Sequence, residues 1–238
     1  MIRRVLISSI IGALSLPAQA AELSQLFFIS QPQFRQLSED LGATLSYKPL
    51  SPSEPLGVTG FDIGIEVTAT QLENSANYTN AFTGSVPDTL YLPKVHLHKG
   101  LPLGFDIGAS YSAVPDSNIK VWGAEVRYAL LKGGTTLPAL ALRGSYSALN
   151  GVDQLKFSTT GVDLSISKGF AVFTPYAGVG KVWVRSTPDP STTKAEEDFD
   201  MGKVFVGVNM NLAIVNIAVE GDKTGDATSY GLKLGWRF

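Results

Sequence analysis

The sequence contains no cysteine, so disulfide bonds contribute nothing to its stability. It has no apolar run near the ~20 residues that a membrane-spanning helix requires. Charged residues are scarce, at 17% against about 25% in ordinary soluble domains. Histidine occurs only at His96 and His98, which leaves little material for imidazole chemistry. A formal net charge of −2 lacks the basic excess of a nucleic-acid partner. Neither a phosphate-binding glycine loop nor a dinucleotide fingerprint is present, and no cofactor is expected. What the chain does have is 44% hydrophobic residues and 24 glycines over 238 positions. The apolar content is therefore spread through short segments.

The first twenty residues read as an address. Arg3 and Arg4 form a charged start, Val5 to Leu16 a short apolar stretch, and Pro17 precedes Ala18-Gln19-Ala20. This is the pattern of a secretory signal peptide cut after Ala20. Residues 21–57 follow as a separate unit. Ser30 is a candidate helix N-cap, with Pro32 in the first turn and Gln33 placed for a capping box. Ile29 and Phe34 are positioned as a hydrophobic staple across it. Phe34, Leu37 and Leu41 recur at helical spacing, and Gly42 is the expected stop. A short alternating piece, ATLSYK, and the proline-rich PLSPSEPLG complete a connector. The unit is expected to cap or plug the main body from its periplasmic side.

From residue 58 to 238 the pattern is strand after strand. Phe61, Ile63, Ile65 and Val67 alternate with Asp62, Gly64, Glu66 and Thr68. Similar alternation recurs through Phe105–Tyr111, Trp122–Leu130, Leu140–Tyr146, Val204–Met210, Ala213–Val219 and Tyr230–Phe238. Pro93 is expected to shift the phase of its strand. A bulge near Gly161 is expected to reconcile Leu155 and Phe157 with Val162, Leu164 and Ile166. In FAVFTPYAGVGKVWVR, Tyr176, Val182 and Val184 are assigned to the apolar face, and Lys181 and Arg185 to the opposite one. About ten strands of roughly ten residues result, a length that suits tilted strands crossing a bilayer. Inclusion of ATLSYK in the sheet would raise the number to twelve.

Connections alternate in length. Those at 72–87, 114–118, 149–153, 186–200 and 221–227 include two long loops, whereas those at 99–102, 132–136, 167–170 and near Asn211 are short. Outer-membrane barrels have this asymmetry, with the short turns facing the periplasm. Backbone groups in lipid must all be paired, so such a sheet must close. The fold class expected is all-β: a closed antiparallel transmembrane barrel with a short N-terminal helical segment. Its apolar face meets lipid, with Trp122, Trp183, Tyr230, Trp236 and Phe238 at the membrane–water girdles. Its lumen is then lined by six acids, Asp62, Glu66, Asp106, Glu125, Asp163 and Glu220, and eight bases, Lys94, Arg127, Arg143, Lys181, Arg185, Lys203, Lys233 and Arg237.

The terminal YGLKLGWRF and the segment FTPYAGVGKVWV resemble strands of the small outer-membrane β-barrel proteins of Gram-negative bacteria, the class that includes OmpA-type and OmpW-type barrels. The resemblance covers residues 60–238. It implies that Tyr230, Leu232, Leu234, Trp236 and Phe238 form the signal read by the barrel-assembly machinery. It also implies an outer-membrane location among lipid and lipopolysaccharide.

Chemistry is thinly supported. His96 and His98 share one strand face, but no third metal ligand lies nearby in sequence, so plain lumen lining is the reading adopted. The omptin proteases place acid and histidine groups at the outer mouth, and no D-x-H pair exists here. A lipid A deacylase pattern needs a late histidine, which is absent. The acidic stretch Asp189–Asp200 reads as a solvated loop. The expected function is non-enzymatic: a structural or surface role, or a narrow channel for small solutes. The alternative is an outer-membrane enzyme acting on lipid A or peptides.

Overall fold

The computed structural model describes residues 22–23, 25–83, 86–113 and 119–238. The signal peptide assigned to residues 1–20 lies outside them. Ten antiparallel strands close into one barrel. They are β1 (Phe61–Gln71), β2 (Thr89–Gly100), β3 (Phe105–Ala113), β4 (Lys120–Lys132) and β5 (Ala139–Asn150). The series continues with β6 (Leu155–Ser167), β7 (Phe173–Pro188), β8 (Glu197–Leu212), β9 (Val215–Thr224) and β10 (Ala227–Arg237). Each strand pairs with its sequence neighbour, and β10 pairs with β1 to close the ring. The closing seam continues past the strands: the Phe61 N–H donates to Phe238 O at 2.8 Å and the Phe238 N–H to Phe61 O at 3.0 Å.

The outer surface is apolar along the strands. Ile65, Val95, Val126, Val179, Val206, Val219 and Leu234 are among the outward residues, each about half exposed. A soluble monomer does not expose a continuous apolar band of this kind, whereas a transmembrane barrel requires one. Aromatic pairs mark both edges of the band. Phe105 and Tyr128 stack at 4.6 Å near the short connections, and Trp122 and Tyr146 at 5.3 Å near the opposite rim. Such rings suit the boundary between lipid and water.

Among the described residues, the connections at 101–104, 133–138, 168–172 and 213–214 define one rim, and those at 72–83, 86–88, 151–154, 189–196 and 225–226 the other. Two of the second set are shorter than their sequence suggests. The 186–200 loop contracts to 189–196, and the 221–227 loop to Gly225-Asp226, because β7, β8 and β9 extend beyond their apolar portions.

Helix α1 (Gln31–Leu45) stands inside the barrel. Its capping box is formed, with the Ser30 N–H donating to Gln33 Oε1 at 2.8 Å. Gly42 does not end it. A Cβ at Gly42 would stand 2.7 Å from Met201 and Val184 of the wall, so glycine serves there as the point of closest helix–barrel approach. ATLSYK therefore belongs to the helix end and the connector, and the sheet has ten strands, not twelve.

Helix packing also overturns three strand assignments. Val182 and Val184 point inward, and so does Tyr176; Lys181 and Arg185 point outward. No bulge occurs at Gly161, because Leu155 and Phe157 face inward in an unbroken alternation. Pro93 does not shift the phase; Leu92 turns inward instead. The residues that looked out of phase with lipid are in phase with a second apolar environment. Phe34, Leu37, Leu26 and Ile29 form one core with Val121, Leu155, Phe157, Val182, Val184 and Met201, packed at the long-connection end of the lumen. The irregularity that does occur lies in the β4–β5 ladder, between Ala129 and Leu131.

Candidate functional site: the filled lumen

The lumen has two halves. Below the apolar core, toward the short-connection rim, the inward positions carry charge. Strand register sets these charges in rows. Asp106, Arg127, Arg143 and Asp163 lie side by side across β3, β4, β5 and β6. The two adjacent guanidinium groups are thus flanked by carboxylates on both sides. Arg127 Nη2 donates to Asp106 at 2.6 Å, and Arg143 Nη2 to Asp163 at 2.6 Å. A second row runs Lys233, Glu66, Lys94 across β10, β1 and β2, with Lys94 and Glu66 at 2.7 Å.

The seam is locked by charge as well as by backbone. Asp62, fully buried, accepts from Lys233 and Arg237, each at 2.9 Å. Residues more than 170 positions apart in sequence thus meet only when the last strand reaches the first. His96 is bracketed by Asp62 at 3.1 Å and Glu66 at 2.7 Å. His98 is hydrogen-bonded to Tyr47 Oη at 3.0 Å and lies 3.4 Å from Glu125. Gly108 makes room for that imidazole: a Cβ there would collide with the His98 ring.

Of the fourteen charges assigned to the lumen, Asp62, Glu66, Asp106, Glu125, Arg127, Arg143, Asp163, Lys203, Glu220 and Lys233 are buried inside. Lys94 and Arg237 face the same interior, their side chains less than a tenth exposed. Lys181 and Arg185 are the exceptions: they stand on the outer surface, paired with Asp200 at 3.0 Å and Asp198 at 2.9 Å. Asp222 was missed, because it sits where a loop was expected; β9 carries it into the lumen. Lys48 was also missed. Nothing in PLSPSEPLG or its surroundings signals that this lysine enters a barrel. Tyr230, Leu232, Leu234, Trp236 and Phe238 all face outward, roughly half exposed or more.

The charged half is not hollow. Residues 46–60 run through it without joining the sheet, and wall cations grip their carbonyl oxygens. Lys94 donates to Lys48 O at 3.1 Å, Arg127 to Pro52 O at 2.6 Å and Arg237 to Glu54 O at 3.1 Å. Lys203 donates to Tyr47 O, and at the short-connection rim Lys99 reaches the exposed Val58 O from the outer face. The segment returns the favour with its own side chains. Lys48 Nζ pairs with Asp222 at 2.8 Å, and Ser53 Oγ donates to Ser165 Oγ at 2.9 Å. A backbone with no ladder must find other partners when buried, and the lumen supplies them.

At the long-connection rim Asp40 ties α1 to the β1–β2 loop. It accepts from Tyr78 Oη at 2.7 Å and from the Asn74 N–H at 3.0 Å. Burial raises its carboxyl above the usual range, and these hydrogen bonds offset part of that rise. Burial likewise raises the Tyr78 phenol, with Asp40 adding to the effect.

Among the described residues, Asp62, His96 and His98 offer ligand atoms within 4.8 Å of one another. Asp62 already binds two cationic side chains, so a metal ion would have to sit against Lys233 and Arg237. The group fits an ion-paired network better than a metal centre. Beside it a cavity lined by Tyr47, Lys48, Thr68, Lys94, Ser110 and Ser147 among others has a volume of about 20 Å³. That is room for roughly one water molecule.

No protein-family model and no curated protein matches the chain. Among solved structures it is similar to the N-terminal β-barrel domain of Pseudomonas aeruginosa OprF, at 14% identity and a TM-score of 0.37, over 74% of this chain and 97% of that one. It is similar to KdgM porin in complex with disordered oligogalacturonate, at 10% identity and a TM-score of 0.39, over 74% and 99% of the two chains. A third is Ail, the attachment invasion locus protein of Yersinia pestis, at 11% identity and a TM-score of 0.30, over 75% and 97%. At these values the activities of those proteins do not transfer to this chain. The class defined by its own fold is the closed ten-stranded transmembrane β-barrel with an internal N-terminal helix.

Proposed function

We propose that the chain is an outer-membrane barrel sealed by its own N-terminal segment, acting through its surface and loops as a structural or surface-interacting protein. One observation carries this reading: residues 31–58 occupy the lumen from rim to rim, apolar against apolar above and ion-paired below. An open channel needs water along its axis, and here helix and connector take that space. An enzyme needs a path for substrate, and His96 and His98 are buried between wall and connector. The exported address and barrel form support the outer membrane as the location. Lys181, Arg185 and Trp183 on the outer surface of β7, near the long-connection rim, suit contact with lipopolysaccharide headgroups. The outward terminal strand suits recognition by the barrel-assembly machinery.

Conductance tests the seal. Refolded wild-type protein in planar bilayers should show no discrete steps. Ser38 and Ser186 oppose each other with their Oγ atoms 2.8 Å apart, so the pair Ser38→Cys and Ser186→Cys, oxidised, fixes the helix to the wall. Regular steps that persist in this cross-linked protein would overturn the sealed reading.

A further inference from the structure

We infer that the chain crosses its own lumen from outside to inside before the first strand, so that the mature N-terminus belongs to the outer surface. The inference rests on the proposed orientation, in which the longer connections face outward. It reverses the expectation that residues 21–57 cap the periplasmic side.

The contacts fix the direction of travel. Glu22 and Leu23 pair as a short antiparallel strand with Thr83 and Phe82, within the β1–β2 connection. The Gln25 N–H donates to Ala81 O at 3.1 Å in the same loop. The Leu26 N–H reaches Gln154 Oε1 at 3.4 Å, in the β5–β6 connection. Gln31 exchanges hydrogen bonds with the Ala195 backbone, at 3.2 and 3.0 Å, in the β7–β8 connection. Three different connections of one rim therefore hold the start of the segment. Its end meets the opposite rim: the Gly100 N–H donates to Gly60 O at 3.1 Å, and the Leu56 N–H to Asp106 at 3.1 Å, beside the short β2–β3 turn. Between them the helix and connector descend past Ser186, Asp222, Arg127 and Asp62 in order.

The geometry has a chemical corollary. A segment held by wall cations on its carbonyls cannot be drawn through a closed barrel without breaking those hydrogen bonds and the buried Lys48–Asp222 ion pair. Threading must precede closure of the β10–β1 seam. The Glu22 end of the segment is thereby carried outward, and stays held among the long connections.

The absence of native cysteine makes the test direct. Three single variants are compared in intact cells with a membrane-impermeant maleimide. Phe28→Cys replaces an exposed side chain at the start of the segment, Ser191→Cys lies in the β7–β8 connection, and Thr136→Cys lies in the short β4–β5 turn; all three positions are exposed. F28C and S191C should label on intact cells, and T136C only after lysis. F28C protected alongside T136C while S191C reacts overturns the threading. S191C protected while T136C reacts overturns the orientation, and the inference falls with it.

Discussion

Lys48 shows how much one side chain can depend on placement. In sequence it is a lone lysine before a proline-rich connector. In the barrel it is buried, donates to Ala43 O at 2.8 Å and neutralises Asp222. Lys203 is the next cation to Asp222, at 3.7 Å. Removal of one member of a buried pair strands the other charge, which costs about 3–5 kcal/mol. Lys48→Met should therefore lower the free energy of unfolding in urea by that order. Lys48→Met combined with Asp222→Leu should recover part of it, because the Asp222 charge is no longer stranded, while Lys203 gives up its 3.7 Å partner and keeps the Tyr47 carbonyl. Equal losses in the single and double variants would show that Lys48 acts by packing alone.

At the scale of elements, the important junction is between α1 and the β1–β2 loop. Asp40 forms it, and the sign of its pH dependence follows from its raised carboxyl. Burial favours the neutral acid, so the contribution of Asp40 to helix docking is fullest below the usual carboxylate range. It declines as pH rises through the raised value. Wild-type protein should therefore lose stability relative to Asp40→Asn between acid and neutral pH, read as the difference in thermal midpoints at each pH. A wild-type-minus-variant difference that stays flat, or that falls toward acid, would contradict this assignment. The element itself was legible in part. Ser30 and Gln33 announced its start, as capping residues do. Its end was not legible, because Gly42 is a stop signal by local rules and a packing requirement by tertiary ones.

For the whole molecule, closure is the decisive event. Asp62 with Lys233 and Arg237 holds the seam inside, while Phe238 stands on the outer surface at the same seam, 71% exposed. The two features should separate experimentally. Asp62→Asn weakens the buried ion pairs and should lower the stability of refolded barrel, on the order of 3 kcal/mol, with little effect on its delivery to the membrane. Phe238→Ser touches no buried pair and should instead reduce the amount of folded barrel in cells, read by heat-modifiable gel mobility, while refolded protein keeps its stability. Alternation and closure were legible in the residues alone, because a period of two is a local property and lipid leaves no unpaired backbone edge, whereas the choice of ten strands over twelve waited on the helix that takes up ATLSYK. The sequence also placed most interior charges, which follow from the same alternation. Only the tertiary structure decided which apolar residues face lipid and which face the helix. Val182, Val184, Leu155, Phe157 and Leu92 satisfy a strand pattern on either side, and alternation cannot name the solvent on each face. The choice was made by residues 22–58, far away in sequence, whose own apolar stripe needed a wall to pack against.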